Sequence, residues 1–189
     1  MINLCNEYDI EANFWEAVKR DKGAIGLMLT MKEIFTWCLK NSIDRVLILE
    51  DDCEILVCPE EFHAIMDRCM NDLKEINWQL FYLGLQHVIQ FPQWITPNIL
   101  PVKMGYSTHA VLYNKEVMKF FVYHNIYEPI DNFLAREYQK YNTSFCSYPM
   151  LCSQIEGFSD IGGQWTSWKK DLEGKFDKNV RDILPVRFN

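Results

Sequence analysis

The chain lacks an apolar run long enough to span a bilayer, and its opening, MINLCNEYDIEANFWEAVKR, does not have the pattern of a signal peptide. It lacks a basic balance: 19 Lys and Arg stand against 26 Asp and Glu, for a formal net charge of −7. That sign disfavours a phosphate backbone as partner, so no nucleic acid is expected. It lacks CxxC spacing. The 7 cysteines are odd in number, and the closest pair, Cys53 and Cys58, has no His or second pair to complete a zinc site. Free thiols in a reducing compartment are therefore expected, with a cytoplasmic setting, peripheral to membranes at most. Internal repeats, low-complexity tracts and linkers are also missing, which predicts one domain over residues 1–189.

What is present is apolar and patterned. A hydrophobic share of 49%, with 14% aromatics, predicts a compact globule. Ala12, Trp15, Ala17 and Val18 have helical spacing, broken by Gly23 and Gly26. LMLTMKEIFTWCLKN is apolar almost all round and predicts a well-covered helix ending near Asn41. Val46 to Leu49 is a short aliphatic run without alternation, the signature of a central strand covered on both faces. Pro59, Glu60 and Glu61 suit the first turn of a helix through FHAIMDRCMNDLKEI. WQLFYLG is a second buried strand ending at Gly84, and THAVLY a third, followed by Asn114 as cap of a helix over KEVMKFFVYH. EPIDNFLAREYQKY predicts another helix, and SFCSYPMLCS a strand and loop. Between them, IQFPQWITPNILPVKMGY holds no clear regular element, EGFSDIGG is a glycine-bounded loop, and an amphipathic helix is expected after Trp165. This order implies an α/β domain with a partly parallel sheet.

One stretch carries chemistry. VLILEDDCEI puts Glu50, Asp51 and Asp52 directly behind an apolar strand. Adjacent like charges near a dry core are unfavourable unless a cation, a ligand or solvent compensates them. Alternate residues of an extended chain share a side, so Glu50 and Asp52 are expected together, with Asp51 turned away. Two such carboxylates suit Mn²⁺ or Mg²⁺, which keeps water and takes its other ligands from a diphosphate. The plainer reading is a solvated loop whose acids cap the following helix.

Five further segments stand in order around this motif: GAIGLMLTMKEIFTWCLKN, INWQLFYLG, GYSTHAVLYNKEVMKFF, PIDNFL and YPMLCSQIEGFSDI. Together with RVLILEDDCEI they resemble glycosyltransferase family 25, the lipopolysaccharide-type glycosyltransferases related to collagen galactosyltransferases. The resemblance covers about residues 12–165, leaving 166–189 as a tail. It implies a GT-A-like fold: a mixed, mainly parallel sheet flanked by helices, here with a shortened N-terminus. It implies a metal-assisted, inverting transfer of a sugar from a nucleotide-diphosphate donor to a glycan or glycolipid hydroxyl. Where the family carries Gly-Cys-x-x-Ser-His, this chain has Gly26, Leu27, Thr30 and Met31. Hence the alternative, a catalytically inactive domain of the same fold that binds glycan or a partner.

Under this resemblance Asp52 and Glu50 are the metal ligands, and Glu50, Asp51, Asp52, His109, Gln154 and Ser159 bind the donor. Asp131 is the general base; its plainer reading is an acid favoured by the dipole of the helix it opens. His109 is read otherwise as a satisfied structural residue, and Gln154, Ser159 and Asp160 as a surface turn. Trp94, Tyr106 and Trp165 could stack on sugar rings or belong to the core. A phosphotransfer enzyme using the same acids is disfavoured, because two helices precede the acidic strand and no Lys/Thr motif follows.

Overall fold

Alternation along the strands splits the interior into two cores. In the computed structural model, residues 1–85, 96–124, 126, 128–141 and 143–155 are described in full, and 157–159 and 164–166 by backbone. The central sheet has five strands in the order β1 (Arg45–Leu49), β5 (Ala110–Asn114), β3 (Leu80–Tyr82), β6 (Ser144–Ser147) and β4 (Ile99–Pro101). Val46, Ile48, Leu80, Tyr82, Val111, Tyr113 and Cys146 face one way, beneath α2 (Gly23–Lys40), α4 (Lys115–Tyr123) and α5 (Ile130–Glu137). Leu47, Leu49, Phe81, Ala110, Leu112 and Phe145 face the other, beneath α3 (Pro59–Leu73). A short α1 (Ile2–Glu7) closes this second side through Tyr8, whose ring meets Phe62 edge-on and whose hydroxyl donates to the Val57 carbonyl. Each fully buried Leu or Phe contributes about 1.5–3 kcal/mol, so the two apolar layers dominate the fold's stability. Six of the seven cysteines are buried as free thiols within them, and Cys58 is exposed.

The fold is mixed α/β with five α-helices among the described residues, but its sheet is not mainly parallel. Only β3 and β6 run parallel; the β1–β5, β3–β5 and β4–β6 pairs are antiparallel. The reason is topological. The chain returns from β4 and re-enters the sheet as β5, between β1 and β3, from the end where both of those stop. It must therefore run against both, and antiparallel neighbours need no crossover helix between them. Among the described strands only β5 pairs with β1, which is therefore an edge strand rather than a central one. Its unbroken aliphatic run does reflect cover on both faces, yet every one of those side chains stays half-exposed at the border.

Several local readings agree with the structure. Pro59 opens α3 with Glu60 and Glu61 in its first turn, Asn41 caps α2, and Asn114 caps α4 by accepting from the Glu116 N–H. Others differ. No helix forms over 12–18; the segment lies along α2, with the Val18 N–H donating to Thr30 Oγ1 and its carbonyl packed against Gly26, where a Cβ would sit 2.4 Å away. Gly23 begins α2 instead of ending a helix. The stretch expected to be irregular supplies β4, with its residues 89–95 outside the described set. Gly157–Ser159 is a strand (β8) paired with Gln164–Thr166 (β9), not a loop, and the expected helix beyond lies outside the described residues. A two-stranded ribbon, β2 (Cys53–Ile55) with β7 (Cys152–Gln154), completes the described structure. No described helix is long and apolar enough to cross a membrane.

Gly84 shows how tightly this ribbon meets the sheet. A Cβ there would lie 1.9 Å from the Cys152 carbonyl oxygen and 3.0 Å from His109 Nε2. Gly84→Ala is accordingly expected to lower the unfolding free energy by about 1–3 kcal/mol or more, read from the urea midpoint. An unchanged midpoint would show that the close approach is dispensable.

Candidate functional site

The candidate site lies where β1 and β3 end and β5 begins. The β1–β5 ladder runs one residue past β1, with the Glu50 N–H donating to the His109 carbonyl at 2.9 Å. The chain then turns instead of staying extended: the Cys53 N–H returns to the Glu50 carbonyl at 3.1 Å. The alternation expected for Glu50 and Asp52 therefore does not apply, and each acid finds its own hydrogen-bond donor. Glu50 Oε1 accepts from Thr108 Oγ1 at 2.6 Å, at the head of β5. Asp52 Oδ2 accepts from Gln154 Nε2 at the end of β7, while the Asp52 carbonyl accepts from the Ile155 N–H. Asp51, between them, is exposed.

The two anchored acids still act on each other. Burial pushes the Glu50 carboxyl up to about 7, against the Thr108 hydrogen bond, and the negative charges of Asp52, Asp131 and Asp51 push the same way. Burial also raises Asp52, partly offset by Gln154. Asp52 Oδ1 is buried with no hydrogen-bond partner among the described residues. Asp131 lies in the first turn of α5, where its Oδ1 accepts from the Asn132 N–H, the local contact of a helix-opening acid. It is nevertheless close enough to act on Glu50 and on the Tyr82 and Tyr113 hydroxyls.

His109 is enclosed rather than presented. Its ring is 1% exposed, Nδ1 is 2.6 Å from Ser107 Oγ, and Nε2 rests against the Cys152 carbonyl without a well-formed hydrogen bond. Burial lowers its pKa to about 4, so the imidazole is neutral near pH 7. It fastens the ribbon to the sheet. The neighbouring Ser107 has φ 93°, a left-handed conformation unusual for a residue with a Cβ. Such a backbone costs about 1–3 kcal/mol and persists only where its surroundings enforce it.

Two residues earlier the same loop is held by Gln139, fully buried in a 3₁₀ turn after α5. It accepts from the Gly105 N–H at 2.7 Å and donates to the Gly105 carbonyl at 2.7 Å and to Tyr82 Oη at 3.0 Å. Sequence reasoning missed Gln139, Tyr82, Thr108 and Tyr113, whose buried hydroxyl has no hydrogen-bond partner among the described residues. Their only sequence signal is a polar group inside an otherwise apolar or helical pattern.

The structure thus gathers Glu50, Asp52, Gln154, His109 and Asp131 around one end of the sheet and leaves Asp51 at the surface. Ser159 falls on the backbone of β8 and Trp165 on that of β9, with both side chains outside the described residues. Trp94 and Asp160 lie wholly outside them, and Tyr106 is half-buried in the loop before β5. Among the described residues, no group of three or more His, Cys, Asp or Glu side chains is arranged to hold a metal.

Burial gives the site two opposing pH dependences. Glu50 titrates at 4.5 when unperturbed and at about 7 when folded. Between those values the folded chain keeps a proton that the unfolded chain has lost, so stability falls as pH rises. His109 shifts from 6.5 to about 4; there the unfolded chain gains a proton the folded one refuses, and stability falls as pH drops. Glu50→Gln removes only the first slope. From pH 4.5 to 7 the stability of wild type relative to this variant is expected to fall by roughly 3 kcal/mol, measured by urea unfolding at stepped pH. A difference that stays constant with pH would refute the raised affinity assigned to Glu50. Searched against family models and curated proteins, the chain matches none.

Proposed function

We propose that the chain is a metal-assisted glycosyltransferase that moves a sugar from a nucleotide-diphosphate donor to a hydroxyl of a glycan or glycolipid. The observation that carries this reading is the pair of half-buried, mutually repelling carboxylates, Glu50 and Asp52, at the end of the sheet, on which the charges acting among the described residues are negative. Open α/β sheets bind ligands at such an end. Their donor set fits Mn²⁺ or Mg²⁺: hard oxygens, with Asp52 Oδ1 lacking a partner and Glu50 committed through one oxygen to Thr108. With two protein carboxylates, such an ion would complete its shell from water and the donor diphosphate. When bound, it would offset the charge that builds on the departing diphosphate.

The chain's own residues do the rest. Thr108 and Gln154 orient the two carboxylates. Asp131 accepts the proton of the acceptor hydroxyl as its oxygen bonds to the anomeric carbon and the carbon–oxygen bond to the diphosphate breaks. Attack from the face opposite the diphosphate inverts the sugar. The free thiols suit a cytoplasmic setting. A second reading, a domain of this fold that binds glycan without turnover, is favoured by the lack, among the described residues, of three side chains arranged to hold a metal by themselves.

Incubating the chain with Mn²⁺ and UDP-, GDP- and dTDP-sugars, and following free nucleotide diphosphate, tests both. Release is expected for one donor and is lost in Asp52→Asn. Asp131→Asn is expected to slow turnover by roughly 10²- to 10⁴-fold with donor binding kept. Donor binding without release would establish the second reading. No donor binding, with or without metal, would overturn the enzyme.

A further inference from the structure

A second feature lies away from the sheet end, on the outer face of α2. Leu29, Lys32, Glu33, Trp37 and Lys40 recur at helical intervals and form one stripe, and Trp15, from the segment laid along α2, stands as the opposite wall. Between them is an open cavity of about 410 Å³. The indoles of Trp15 and Trp37 meet at 5.9 Å between centroids and 65° between planes, and both remain more than a third exposed, at 39% and 38%. Their contact is thus edge to face, and ring surface stays open to solvent. A core pair of this size would be fully covered.

The polar groups along the stripe favour an anion. Lys32 and Lys40 are two cations against the single acid Glu33, in a protein whose net charge is −7. Lys32 Nζ reaches only the His124 carbonyl, at 3.4 Å, and neither lysine forms an ion pair among the described residues. Eight residues apart on a helix, the two lysines are separated by about 12 Å along the axis, longer than one sugar ring. Flat indole faces take the C–H face of a pyranose, and ammonium groups and a carboxylate along the rim take its polar substituents.

We propose that this groove is a binding site for an acidic oligosaccharide, with sugar rings resting on Trp37 and Trp15 and carboxylates meeting Lys32 and Lys40. A saccharide suits it better than an acidic peptide, because two indoles and charged stems line it without a deep apolar slot for side chains. The site does not rest on the transferase reading. Lys40 lies at the end of α2 that leads through a short turn into the start of β1, so it marks the sheet end opposite Glu50.

The test is titration of the full chain with oligogalacturonate, and separately with neutral maltohexaose, followed by calorimetry and by the indole N–H resonances. Oligogalacturonate is expected to bind, to move two indole resonances that are absent from spectra of Trp15→Phe and Trp37→Phe, and to weaken with salt. Trp37→Ala and the paired Lys32→Gln, Lys40→Gln variant are each expected to weaken it by about tenfold or more, with melting temperatures near wild type. Asp52→Asn is expected to leave it unchanged, which separates this site from the sheet end. Absence of binding, equal affinity for maltohexaose, or affinity that survives Trp37→Ala would overturn the proposal. So would a wild-type dimer that Trp37→Ala converts to monomer, since a second copy would then fill the groove.

Discussion

The arrangement at the sheet end depends on one backbone hydrogen bond, from Glu50 N–H to the His109 carbonyl, which carries the β1–β5 ladder one residue beyond its apolar part. An acid in that register is half-buried, with its backbone fixed by the ladder and one carboxylate oxygen held by Thr108. The consequences follow in sequence. Thr108 must donate to it, so the approach to β5 is fixed, and the chain must turn at once, so Asp52 is delivered to Gln154 rather than alongside Glu50. The ribbon of β2 and β7 is then brought close enough that only a glycine fits at position 84.

Burial acts on the two ionisable side chains of this ladder end in the same way and with opposite chemical result. Glu50 is driven toward the protonated acid and His109 toward the neutral base, so each is discharged by desolvation rather than by pairing with the other. The distinction matters for function. Discharged groups of this kind cost stability when ionised, and an ion pair would have hidden that cost. Among the described residues every charge acting on Glu50 is negative, and the cation of the proposed function would compensate it.

How much of this was legible depends on the range of the interactions. VLIL is a strand and Asn114 a cap because both properties are set within a few residues. That β1 lies at an edge is set by which strands pair with it, its one described partner β5 lying some sixty residues on, and a local aliphatic run is the same in either place. That acids at 50 and 52 follow directly on a strand was legible, but not their geometry, because the turn at Asp51 competes with extension through a hydrogen bond that no spacing rule reports. Gln139 was illegible for a different reason: at the end of an amphipathic helix a glutamine reads as surface, and only its three hydrogen bonds to Gly105 and Tyr82 reveal it as core. The helix expected over 12–18 failed because Trp15 and Val18 find partners on α2 that an extended chain reaches and a helix would not.

Charge is thereby partitioned in a way the net value of −7 conceals. At the sheet end, Glu50 and Asp52 stand behind apolar strands without a cation among the described residues, so their ionised forms are costly and their hydrogen bonds to Thr108 and Gln154 only partly offset this. On the outer face of α2, lysines flank exposed indoles at the surface. The first arrangement gains from a ligand that brings positive charge, the second from one that brings negative charge and a flat face. The proposed ligands follow that division, a diphosphate with a divalent ion for the one and an acidic saccharide for the other. The five-residue β1 strand and the short turn before it keep the two regions at opposite ends of the same strand–helix unit.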